Sequence, residues 1–99
     1  MPDPITAAHW LPEAATPGLE GACATMLPVS IKAGQVAARH HHDFEQFLFV
    51  ASGGGTLQCE AGPIRLQPGT ALHLPPGAWH SAVFDADTLL IELNLNPAA

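Results

Sequence analysis

The sequence predicts an all-β domain, an antiparallel sandwich or barrel, and three observations carry that reading. Short runs of strand character recur at spacings of about eight to twelve residues. Turn signals rich in glycine and proline separate them. Apart from one turn near residues 13–15, no segment sustains a 3.6-residue apolar period.

Taken in order, residues 1–25 carry Pro2, Pro4, Pro12 and Pro17 with little periodicity. They read as an extended lead-in that packs Trp10 and Leu11 onto the body. Residues 26–99 form the barrel, with strands expected at 26–31, 35–39, 44–51, 55–60, 63–66, 70–74, 79–84 and 88–95. The turns between them are marked by Ser52-Gly53-Gly54-Gly55, Ala61-Gly62-Pro63, Gln67-Pro68-Gly69, Pro75-Pro76-Gly77 and Asp85-Ala86-Asp87. In the 44–51 run, Phe44, Gln46, Leu48 and Val50 share one face while Phe47 and Phe49 share the other. A strand apolar on both faces must be covered twice. In so small a barrel the second cover is expected to be another subunit, which predicts a homodimer.

The chain has 99 residues, enough for one domain that buries roughly two thirds of its unfolded surface. A 47% apolar content with only 12% charged residues argues against disorder. Nine acidic residues face three basic ones (Lys32, Arg39 and Arg65), and the net charge is −6. Without a basic patch to neutralise phosphates, neither nucleic acid nor a membrane surface is an expected partner. No apolar run approaches the length of about 18 residues that spanning a membrane needs. The first residues lack a basic region ahead of an apolar stretch, so no secretory leader is expected. Cys23 and Cys59, without C-x-x-C spacing, read as free thiols of a reducing cytoplasm.

Half of the six histidines, His40 to His42, stand directly before the aromatic strand. Two apart in a strand, His40 and His42 share one face and His41 points away. Two imidazoles so placed can chelate one divalent ion. Further ligands would come from Gln46, four residues on, and from His80, just past the Pro75-Pro76-Gly77 turn. The competing reading is structural, since most histidines are surface or hydrogen-bonded residues. His9, His41 and His73 fit it. His73 lies mid-strand opposite Leu72 and Leu74, either lining a pocket or facing water.

Gly34-x5-His40-x-His42-x3-Gln46 resembles the first motif of the cupin superfamily, whose last position is commonly Glu and in some members Gln or His. Gly69-x5-Pro75-x-Gly77-x2-His80 matches the second cupin motif. Both blocks occur in order, and the likeness to small single-domain, RmlC-like cupins covers residues 26–95. The resemblance implies an antiparallel double-stranded β-helix, or jelly-roll barrel. It further implies one divalent transition metal ion per chain (Fe, Mn, Ni, Zn or Cu) held by His40, His42, Gln46 and His80. Two departures have consequences. With Gln46 in place of Glu, every ligand is neutral and the ion keeps its full charge, which makes bound water more acidic. Glu45 could substitute only by a one-residue slip, which turns it to the other face. The Asn often found four residues after the second-motif His is Phe84 here, which predicts a more apolar mouth.

An open metal position in an apolar barrel can stabilise an enolate, bring a substrate and dioxygen together, or bind a ligand without chemistry, and the fold does not choose. The neutral ligand set favours Lewis-acid work of isomerase or lyase type on a small carbonyl or sugar-acid-like substrate. A dioxygenase is the second reading, and a non-catalytic small-ligand or metal-binding protein the third. Acid–base candidates are few, because there is no Tyr and Lys32 is the only lysine. Glu92 and His73 lead them, with His41, Asp43 and Glu45 behind. Glu92 alternates with Leu89, Ile91, Leu93 and Leu95, so it either faces solvent, as Glu usually does, or lies inside the barrel. Arg39 or Arg65 could meet an anionic substrate, although alternation turns Arg39 away from the His40 face. Cys59 shares a face with Leu57 and reads as a small core residue. The sequence contains no helix-turn-helix pattern for a regulator.

Overall fold

The computed structural model describes residues 4–14 and 16–96. The outer limits of the expected lead-in and barrel, and residue 15 of the turn expected at 13–15, lie outside the described residues. Nine strands follow in chain order: β1 (Leu19–Glu20), β2 (Ala24–Ile31), β3 (Val36–His40), β4 (Gln46–Ser52), β5 (Gly55–Cys59), β6 (Gly62–Leu66), β7 (Ala71–Leu74), β8 (His80–Phe84) and β9 (Thr88–Leu95). Among the described residues there is no helix. All eight expected strands are present within a few residues. The addition is β1, which pairs Leu19 with Met26, so strand pairing begins inside the stretch read as lead-in.

The strands form two antiparallel sheets, ordered β1-β2-β9-β4-β7 and β3-β8-β5-β6. Their inner faces enclose a core of Val50, Leu57, Leu66, Ala82, Phe84 and Leu90. Alternation drives this arrangement: in β4, Gln46, Leu48 and Val50 are buried while Phe47 and Phe49 face outward. Phe84 lies in this core, at the end of β8 opposite His80, so the more apolar mouth expected from sequence is not what this residue makes. Gly55 permits the closest strand approach, because a Cβ there would run into the Val83 carbonyl oxygen.

The outer face of the five-stranded sheet is also apolar. Phe49 pairs with Ile91 and Phe47 with Leu93, which in turn faces Met26 on β2. Phe47 and Phe49 remain 39% and 45% exposed. The lead-in reaches this face, where Trp10 and Leu11 line a shallow pocket with Met26, Phe49 and Ile91. Trp10 is held there by its Nε1–H, which donates to the Pro17 carbonyl at 3.3 Å.

Candidate metal centre

Three strand ends and one loop bring the candidate ligands together. His40 closes β3, His80 opens β8, and the two are direct cross-strand partners. A bulge between Ala37 and His40 makes this possible. Residues three apart in a regular strand face opposite sides, but the extra residue turns both Ala37 and His40 inward and leaves Arg39 outside. His42 lies beyond β3, in the loop to β4, so strand parity is not what aligns it with His40. Its ring stacks on Phe44 at 4.8 Å and 20°. Its carbonyl accepts from the Gly77 amide at 2.7 Å, which fastens the first motif to the second. Gly77 adopts φ +80°, a conformation that favours glycine.

Ring centroids lie 4.2 Å apart for His40 and His80, 4.9 Å for His40 and His42, and 5.5 Å for His42 and His80. One ligand nitrogen from each falls within 4.8 Å of the others. Nitrogens that share an ion at about 2.0–2.1 Å stand roughly 3–4 Å apart, a small ring rotation away. The tautomers suit the task. His40 Nδ1 lies 2.6 Å from the Ala38 carbonyl and His80 Nδ1 lies 3.2 Å from the Ala78 carbonyl. With Nδ1–H donating to each carbonyl, Nε2 keeps its lone pair for a ligand bond. Burial pushes the His80 imidazole below its ordinary 6.5, the nearby His40 and His42 add to that, and the Ala78 carbonyl opposes it. A depressed imidazole is neutral, as a metal ligand must be. The donor set and its geometry fit a divalent metal ion.

Gln46 opens β4 and is only 4% exposed. Its Nε2 donates to Asn94 Oδ1 at 2.8 Å and to Glu92 Oε1 at 3.3 Å. Gln46, Glu92 and the three histidines line one cavity of about 150 Å³ whose other walls are apolar. Glu92 therefore faces the barrel interior, half-buried, and does not stand on the outer face. The apolar row of β9 that includes Ile91 and Leu93 faces the outer side. A neutral set of candidate ligands does not leave the cavity neutral, because the Glu92 carboxylate stands beside it.

Other candidates lie elsewhere. Glu45 points outward and pairs with His73 at 2.5 Å, away from the cavity. The His73 ring lies 4.8 Å from that of Phe47, tilted by 30°, on the outer face of β7. His41 and Asp43 are exposed. Arg39 lies 4.0 Å over the Trp79 ring, and Arg65 pairs with Asp85 at 2.9 Å on the surface. Both cysteines are free, and Cys59 Sγ donates to the Gly62 carbonyl at 3.3 Å. Sequence reasoning missed Asn94 and Phe44 as supports of Gln46 and His42. The alternation of Leu90, Glu92 and Asn94 was a signal for the first, once the inward face is known.

The sequence matches the cupin domain family over residues 28–93, two thirds of the chain. The chain is a cupin. Solved cupin-fold structures resemble it across most of its length. KdgF from Halomonas sp. is 27% identical with a TM-score of 0.74, over 81% of this chain and 74% of that one. The DMSP lyase DddQ from Ruegeria pomeroyi DSS-3 is 24% identical with a TM-score of 0.70, over 77% of this cupin and 40% of the lyase. A salicylate 1,2-dioxygenase from Pseudaminobacter salicylatoxidans is 15% identical with a TM-score of 0.68, over 73% of this cupin and 21% of that chain. The last two likenesses are of fold alone. Comparison with curated protein sequences finds no match.

Proposed function

We propose that this cupin is a metal-dependent enzyme of isomerase or lyase type, acting on a small carbonyl or sugar-acid-like substrate. His40, His42 and His80 would hold one divalent transition metal ion through Nε2, and Gln46 would complete the set through Oε1. Both amide hydrogens of Gln46 are engaged by Asn94 and Glu92, so the oxygen is its free end. When bound there, the ion supplies Lewis-acid stabilisation of negative charge on a carbonyl oxygen.

The observation that carries the reading is Glu92. A carboxylate beside the three histidines, in an otherwise apolar chamber, supports a role in moving a proton. Its Oε1 accepts from Gln46, so Oε2 is left to take a proton from the carbon next to the substrate carbonyl and to return it elsewhere. The apolar walls leave few other groups there to compete for the proton. The test is deuterium exchange in D2O with a panel of small ketones, hydroxy acids and uronic acids, followed by NMR. Metal-loaded protein should wash deuterium into the position beside the carbonyl, and Glu92→Gln should stop this while retaining metal. No exchange with any compound would contradict the assignment.

Three histidines with no carboxylate ligand also suit a dioxygenase, and oxygen uptake by the iron-loaded protein would favour that reading. Binding without turnover would make the protein a carrier. The apolar outer face of Phe47, Phe49, Met26 and Leu93 supports a homodimer. The two free thiols support a reducing, cytoplasmic setting. Among the described residues, no helix is long and apolar enough to cross a membrane.

A further inference from the structure

A second cavity, of about 220 Å³, opens in the seam where the two sheets are not hydrogen-bonded to each other. Edge strand β6 forms one side with β5, and edge strand β7 the other. The β7–β8 loop supplies Trp79. Leu57, Leu72 and His80 line both this cavity and the metal chamber, so the two meet at the buried ligand His80.

The chemistry of the seam is one-sided. Ile64, Leu74 and the Trp79 indole join Leu57 and Leu72 as its apolar surface. No Lys or Arg lines it. Its ionisable groups are exposed Glu60, His73 already paired with Glu45, the Cys59 thiol turned to the Gly62 carbonyl, and the shared His80. A carboxylate placed here would lose water and meet Glu60 without a cation. The hydroxyls of a sugar would find few partners. Arg39 stacks on Trp79 and holds the indole as a wall.

We propose that the seam cavity binds the apolar tail of the substrate while its polar head reaches the histidines. The substrate class is then a small amphipathic carbonyl compound, with an aliphatic or aromatic tail in place of a polyhydroxy chain. This inference rests on the metal-site reading, and the chamber volumes support it. The metal chamber holds about 150 Å³ for ion, water and head together, and the larger space lies next to it.

The test uses straight-chain aliphatic hydroxamates, from acetohydroxamate to octanohydroxamate, on the zinc-loaded full chain. Trp10→Phe leaves Trp79 as the only tryptophan and so as the reporter of tail position. Affinity should tighten about three- to fourfold per added methylene until the tail outgrows the cavity, with Trp79 emission changing in step. Gluconohydroxamate should bind no tighter than acetohydroxamate. Ile64→Phe, which narrows the seam, should flatten the chain-length series and spare acetohydroxamate. If that variant fails to fold, the parent series still decides. Failure of every hydroxamate to bind would overturn the metal-site reading and this inference with it. Binding that is flat with chain length, that favours the polyol tail, or that leaves Trp79 emission unchanged would overturn the inference alone.

Discussion

The side-chain amide of Gln46 donates to Asn94 Oδ1 across the β4–β9 ladder at 2.8 Å, and the same nitrogen reaches Glu92 at 3.3 Å. The two residues are direct register partners, so the backbone itself sets this contact. One amide thereby joins a candidate ligand to the carboxylate that faces the same chamber.

Restoring the more common acid, Gln46→Glu, tests that link. The new carboxylate loses both donor contacts and stands against Glu92 and the Asn94 oxygen. Metal-free protein should lose about 1–3 kcal/mol of stability, the usual consequence of an unsatisfied buried polar group. Metal affinity should rise, because one ligand becomes anionic. Chemical denaturation with chelator and a competitive metal titration would measure both. Equal stability with weaker metal binding would contradict the arrangement.

The Gly77 turn supports a second prediction. At φ +80°, any other residue costs roughly 1–2 kcal/mol. Gly77→Ala should lower stability by that amount and also weaken metal binding, since Gly77 holds the His42 carbonyl. Denaturation with and without zinc separates the two effects. A loss that is equal in both conditions would leave the turn with a folding role only.

The pH dependence of the metal-free protein follows from His80. Burial places its folded pKa below the ordinary 6.5 of the unfolded chain. Well above pH 6.5 the group is neutral in both states and contributes nothing. As pH falls through 6.5 the unfolded chain binds a proton that the folded chain resists, so stability drops until the folded pKa is passed. His80→Asn should remove this part of the slope between pH 8 and 5.5. Identical slopes for parent and variant would assign the effect to another group.

The outer face predicts assembly. The parent should sediment as a dimer at micromolar concentration, and Phe49→Asp, which places a charge among Ile91, Phe47 and Met26, should sediment as a monomer. A parent that is monomeric would leave that apolar face uncovered by its own copy.

Much of this molecule is legible in its sequence. Glycine marks most of the turns because they need a positive φ, as at Gly53, Gly62, Gly69 and Gly77, and the eight strands between the turns emerge from alternation. β1 is not legible, since two residues carry no period. The β3 bulge is equally silent, because an inserted residue changes facing without changing composition. Glu92 shows the limit most clearly. The greasier row of β9 is the outer one, so apolar content alone points to the wrong side. Only the pairing of Leu48 with Glu92 and of Gln46 with Asn94 identifies the row that faces the chamber.

The central claim is that His40, His42 and His80 form a metal site. Elemental analysis of untagged protein, purified without chelator and compared with His80→Ala, tests it directly. The account predicts about one divalent transition metal ion per chain in the parent and its loss in the variant. Equal metal content in the two proteins, or none in the parent after iron, manganese, nickel, zinc and copper are added back, would contradict it.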